Sequence, residues 1–348
     1  MKKSIKLFLL LISVMIPLSF FSGCGSSGTS TASGGKESGD GEKIVIKVGH
    51  VLPDTHPYHI GLQRLQEILE EKNPGAIQLD LFPNSTMGGE RDMLEGMQLG
   101  TMDAAIVSTA SLSNFSDQFR IFDLPFLLPT YEKAYEVLDG EIGQTLLSTL
   151  PEQGFVGIAY WENGFRHITN DKANIYLPTD LPKAFKIRTM ENEIQMQTFI
   201  SLGANAIPMA WSEVYTALQQ GTIDGQENPL PVICSSKIQE VNHYITMTGH
   251  FYAPAPIVFS KKTWDSFPED IQTLLRESIE ETRTYQREVS RSSEGELAAQ
   301  LESEGCFVVR AEDVDKDAWR AALQPIYDAY QDSIGVDLVQ EILDVVNA

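Results

Sequence analysis

From residue 43 onward the hydrophobic period switches from two to that of a helix and back to two within one short stretch, and this constrains the fold more than any other feature. Residues 43–48 alternate and are β-branched, residues 55–72 place Leu62, Leu65, Ile68 and Leu69 along one side of a helix, and residues 77–82 read as a second strand. That order predicts a βαβ unit. It continues with a helix over 89–99 that stops at Gly100 and a short apolar strand over 103–107, as a parallel sheet with covering helices requires. Helices over 131–138 and 141–150 then lead to a strand at 155–161.

A second α/β pattern begins after Asn163. Its pieces are a strand at 184–188, helices at 193–202 and 212–220, and strands near 245–248 and 257–259. Residues 266–304 have no proline after Pro268 and space Leu274, Leu275, Ile279, Val289 and Leu297 through a charged background, which predicts one long amphipathic helix or two joined ones. A strand at 307–310 and a helix over 314–346 close the chain. The chain has 348 residues, 42% of them hydrophobic, enough for two domains with a sizeable core.

The N-terminus has a different character. Met1, Lys2, Lys3 and Lys6 precede an apolar run from Leu7 to Phe21, interrupted by Ser13, Pro17 and Ser19, and then Ser22, Gly23 and Cys24. A basic head, a short greasy middle and small residues before a processing point describe a secretory signal over residues 1–23 rather than a membrane span. Phe21-Ser22-Gly23-Cys24 resembles a bacterial lipobox, which implies lipidation of Cys24 and attachment to a membrane. Phe21 departs from the usual aliphatic residue, and plain secretion is the alternative. Residues 25–42 offer no aliphatic or aromatic anchor beyond alanine and are expected to act, with Cys24, as a tether.

Charge excludes one class of partner. Lys and Arg number 26 against 48 Asp and Glu, a formal net charge of −22 that repels nucleic-acid phosphates and disfavours adsorption on anionic lipid. Cys24, Cys234 and Cys306 are too few and too far apart for a disulfide scaffold or a structural zinc site. In an oxidising compartment Cys234 and Cys306 could pair, or remain separate thiols. There is no nucleotide-binding glycine fingerprint, P-loop, HExxH or GxSxG, so no cofactor, metal or catalytic machinery is expected. Gly88-Gly89 before a helix reads as a turn, with anion binding the alternative. His56 reads as a helix-terminal or pocket residue rather than a metal ligand.

Four segments carry binding chemistry. Arg188 follows the apolar Phe185-Lys186-Ile187 and so lies near the C-terminal end of a parallel strand, where open α/β sheets bind ligands. Its planar guanidinium matches a carboxylate. Arg166, in Gly164–Asn170, is either a border ion pair or a second anion contact. Trp211 stands just before a helix that Ser212 could cap, as core or as an aromatic ligand wall. The turn-rich 221–229 segment is a loop, or else presents Asn228 to a carboxylate or hydroxyl.

These segments carry a resemblance. IRTMENEIQMQTFISLGANAIPMAWSEVYTALQQGTIDGQENP at 187–229, NGFRHITN at 163–170 and GGERDMLEGMQLGTMDAAIV at 88–107 are similar to the DctP-type solute-binding proteins of TRAP transporters. The resemblance covers essentially the whole chain after the tether. It implies a periplasmic binding protein-like α/β fold, two domains (43–165 plus 254–293, and 166–253 plus 294–348), a ligand cleft and a long helix spanning both. It also implies an extracytoplasmic carrier that hands a small organic acid to TRAP membrane subunits and is not an enzyme. By the same resemblance Arg188 grips the carboxylate, Arg166 and Asn228 support it, and Trp211 forms a wall. Glu90 and the loop containing His56 and His59 would read the far end from the opposite domain. Glu90 would accept hydrogen bonds from hydroxyls and repel a second carboxylate, which favours a sugar acid such as glucuronate or galacturonate. A four-carbon dicarboxylate or a keto acid is the alternative, followed by a ligand-sensing accessory protein or an enzyme.

Overall fold

The computed structural model describes residues 43–348 apart from Ser293, so the leader, Cys24 and the tether lie outside the described residues. Nine strands form one sheet: β1 (Ile44–Gly49), β2 (Ile77–Phe82), β3 (Ala104–Ile106), β4 (Phe155–Asn170), β5 (Lys186–Thr189), β6 (Asn205–Pro208), β7 (Gly225–Asn228), β8 (Tyr244–Ser260) and β9 (Phe307–Val309). Their spatial order is β2-β1-β3-β8-β4-β7-β5-β6, with β9 beside β8. One end, β2-β1-β3, is parallel and holds the first βαβ unit, in register from Ile44 opposite Ile77 to Gly49 opposite Phe82. The other end, β7-β5-β6, is also parallel. Between them β4 and β8 run antiparallel along their length, from Phe155 opposite Ser260 to Asn170 opposite Tyr244. The fold is thus the expected α/β class.

The central pair is where the sequence pattern was interrupted. The sequence suggested short strands at 155–161, 245–248 and 257–259, whereas β4 and β8 span 16 and 17 residues. Gly164, Gly249, Pro254 and Pro256 break the alternation without ending the strands, because irregularities in register absorb them. The bulge between Glu162 and Gly164 is held from outside the sheet. Gln286, on the helix Glu269–Ser292, accepts the Glu162 N–H and donates to its carbonyl, both at 2.8 Å. That helix is followed by Glu294–Ser303, and the two correspond to the long amphipathic segment expected over 266–304.

Two other expectations change. The 314–346 helix is two, Lys316–Ile334 and Val336–Asn347, separated at Gly335, whose φ of 117° a side chain rarely adopts. The 225–228 segment is a central strand, not a loop. Its residues Gly-Gln-Glu-Asn show no apolar alternation, yet all four are buried, and their side chains are satisfied by one another and by β4. Gly225 is required there, since a Cβ would meet the Thr169 carbonyl oxygen at 2.3 Å.

The main core fills both faces along the sheet, and a smaller cluster of Val214, Leu218, Leu230, Ile233, Ile238 and Leu301 sits beside the β7-β5-β6 end. Cys234 and Cys306 belong to that smaller cluster as free thiols; burial pushes the Cys234 thiol up to about 12. Among the described residues no helix is long and apolar enough to cross a membrane, and no group of three or more His, Cys, Asp or Glu could hold a metal ion.

Candidate ligand-binding site

Strand β5 buries Ile187 in the core and places Arg188 next to its C-terminal end. Arg188 lines a cleft with about 540 Å³ of space between protein atoms, part of it open to solvent, together with Arg166, Asn228, Trp211 and Glu90. Five residues singled out in the sequence therefore meet around one space, although they come from widely separated segments.

The two guanidiniums are held differently. Arg166 on β4 and Glu227 on β7 are diagonal neighbours on one face, since Glu227 stands opposite Ile168. Arg166 donates Nε to Glu227 Oε2 at 2.5 Å, and Nη2 to Oε1 at 2.7 Å and to the Glu227 carbonyl at 2.8 Å. Both side chains are buried, and His250 Nε2 lies 3.4 Å from the same carboxylate. Burial opposes the charge on Glu227, but Arg166 outweighs it with help from His250 and holds the carboxyl at about 2. Among the described residues Arg188 has no such counterion. Its Nε and Nη2 donate to the Met209 carbonyl at 2.9 and 2.6 Å, and its guanidinium lies 5.5 Å from the Trp211 ring centroid. Burial pulls its pKa down to about 10, which still leaves it charged near neutrality. Among the described residues, Nη1 of each guanidinium has no hydrogen-bond acceptor.

Glu90 opens the helix Glu90–Leu99 and contributes from the β1-β3 end of the sheet. Its Oε2 accepts the Ser108 N–H at 3.1 Å and the Ser111 hydroxyl at 2.6 Å. Burial raises its pKa against the pull of these bonds and of Arg166 and Arg188. Asn228 donates to Gln226 at 2.6 Å, which orients its amide in the cleft wall. Trp211 is the first residue of the helix Trp211–Gln219 and Ala210 is its cap, so Ser212 does not serve as the cap.

His56 is not among the residues lining the cleft. It is fully buried as the cap of the helix Pro57–Lys72, accepting the Tyr58 N–H at 3.1 Å, with its ring edge-on to Tyr58 at 4.7 Å. Burial and the neighbouring His50 hold its pKa well below the ordinary value. His59 pairs with His50 at 3.2 Å instead. The residue of this loop that reaches the cleft is Tyr58, which sequence reasoning missed because a single tyrosine between histidines carries no motif. Asn163, Arg91 and Glu227 were also missed. Asn163 sits on the β4 bulge and lines the cleft, and the bulge would have been visible only from the pairing of two distant strands.

Fixed guanidiniums, an aromatic wall and a carboxylate acceptor around one cleft define a protein that binds small organic anions. The chain belongs to the DctP family, bacterial extracellular solute-binding protein family 7, whose model matches residues 48–333. It is similar to a TRAP periplasmic solute-binding protein from Polaromonas sp. JS666 solved with D-erythronate. The identity is 38%, the TM-score 0.83, and the match covers 86% of this chain and 98% of that one. The sugar acid binding protein DctPAm of Advenella mimigardefordensis, solved with galactonate, is 33% identical with a TM-score of 0.84, covering 88% and 99% of the two chains. The C4-dicarboxylate-binding periplasmic protein DctP of Rhodobacter capsulatus is 31% identical over 305 residues, 86% of this chain and 90% of that protein.

Proposed function

We propose that this protein binds a hydroxylated organic acid, a sugar acid such as glucuronate or galacturonate, without chemically altering it, and delivers it outside the cytoplasm to TRAP membrane subunits. The observation that carries this reading is the pair of buried guanidiniums lining the cleft, whose Nη1 groups have no acceptor among the described residues, together with the Glu90 carboxylate. Arg188 takes the ligand carboxylate, since among the described residues its charge has no counterion within hydrogen-bond reach. Arg166, braced by Glu227, and Asn228 support it, and Trp211 packs against the ligand. Glu90 accepts from hydroxyls.

The lobes are 43–165 plus 254–293 and 166–253 plus 294–348, and they close over the ligand, excluding water from the ion pair. The irregular stretch of β4 around Gly164, where φ is 115°, supports this division. Lipidation at Cys24 and the tether would keep the carrier beside its transporter. A four-carbon dicarboxylate is the second reading. It is favoured by Arg91, which also lines the cleft, although its Nε donates to Glu95 at 2.9 Å.

A thermal-shift screen of the purified chain against hexuronates, aldonates, dicarboxylates and keto acids tests the proposal, because a ligand at a hundred times its Kd stabilises the native state by about 2.7 kcal/mol. A sugar-acid shift that disappears in Arg188→Ala supports it. A shift with dicarboxylates alone moves the assignment to the second reading.

A further inference from the structure

Two polar atoms in the cleft wall are buried without a hydrogen-bond partner among the described residues: the Tyr58 hydroxyl and Asn163 Oδ1. Tyr58 is 1% exposed and Asn163 6%, and both line the cleft. Buried polar groups in folded proteins almost always have partners, because an unsatisfied one costs about 1–3 kcal/mol. These two orphans come from different parts of the fold. Tyr58 is in the first turn of the helix Pro57–Lys72, and its hydroxyl feels the charges of Glu90 and Arg166. Asn163 is the bulged residue of β4, between the register shift at Glu162 and Gly164, and bulges beside binding sites re-aim side chains. Gln286 fixes the backbone immediately before it.

We propose that Tyr58 and Asn163 are specificity-determining residues that together read a ligand hydroxyl, with Asn163 Oδ1 accepting its proton and the Tyr58 hydroxyl donating to its oxygen. The inference rests on the reading of the cleft as an organic-acid site and adds a requirement to it. The ligand must be a hydroxy acid, and the matching acid without hydroxyls is rejected because it strands both protein groups. Such rejection is stronger than a hydrophobic pocket achieves, since it leaves buried polar atoms unpaired.

The test is isothermal titration of the full mature chain with two matched pairs, D-galactonate against hexanoate and D-erythronate against butanoate, in wild type, Tyr58→Phe and Asn163→Leu. Tyr58→Phe keeps the ring and removes only the orphan oxygen. It should weaken binding of at least one hydroxy acid by about tenfold while leaving the matching deoxy acid unchanged or tighter. Asn163→Leu should shift the same ratio in the same direction, and Asn163→Asp, which retains an acceptor, should preserve the ratio even if all acids bind more weakly. Equal changes for both members of each pair, or none, would overturn the inference while leaving the organic-acid site intact. If wild type binds none of these acids and none in the wider screen, the functional reading fails, and this inference with it.

Discussion

The Arg166 side of the cleft and the Tyr58 side satisfy their polar groups by different means. On the first, Arg166 is paired with Glu227, and Asn228 is held by Gln226, which in turn bonds Thr169 on β4, so the Arg166 charge is neutralised and oriented before anything binds. On the second, Glu90 is braced by two serine-region donors, but among the described residues Tyr58 has no partner for its hydroxyl and Asn163, at the bulge, none for its side-chain carbonyl. The contrast separates two tasks. On the proposed reading, a carboxylate common to many ligands meets groups already braced by the protein, whereas the distinguishing end meets groups that become satisfied only when the right ligand arrives.

The sharpest way to break this contrast is to remove the brace. Glu227→Ala leaves the Arg166 guanidinium buried and unpaired, and should lower the unfolding free energy by about 3–5 kcal/mol in urea titrations. A loss below about 1 kcal/mol would mean that water or His250 replaces the carboxylate, and that the clamp is not prebuilt. Trp211→Leu is milder. It removes the ring beside Arg188 and should weaken acid binding by about 0.5–2 kcal/mol with little change in unfolding.

The smallest effect separates the two carboxylates by pH. Glu227 is held at about 2, below its ordinary 4.5, so its stabilisation is present above 4.5 and is lost as pH falls toward 2. Glu90 is shifted the other way, so the native state binds more protons than the unfolded chain above 4.5, and stability falls as pH rises through that window. Glu90→Gln should therefore gain stability relative to wild type as pH rises from 4.5 toward neutrality, measured by urea unfolding at stepped pH. A constant difference would place Glu90 in an environment no different from water.

Much of this was legible in the sequence, and the gaps have physical causes. The first βαβ unit and the long helical segment followed from apolar spacing, because those elements bury one face. Strand β7 was hidden because its buried side chains are polar and satisfied by residues far away in sequence, which no local pattern records. Arg188 could be placed from the strand before it, and Glu90, Trp211 and Asn228 from the family-like motifs. His56 is the helix-terminal residue the sequence suggested but does not line the cleft, because loop proximity does not say which of three neighbouring rings points inward: the cap at the helix start turns His56 into the core while Tyr58 reaches the cleft.

The most direct measurement is isothermal titration of the purified chain with galacturonate, glucuronate and succinate, repeated with Arg188→Lys. That substitution keeps the charge but removes the planar pair of donors. The expected result is one saturable site for a hexuronate in the wild type and a loss of about tenfold or more in the variant. Undiminished affinity in Arg188→Lys, or binding of succinate with no response to either hexuronate, would contradict a cleft built to grip a sugar acid by its carboxylate through Arg188.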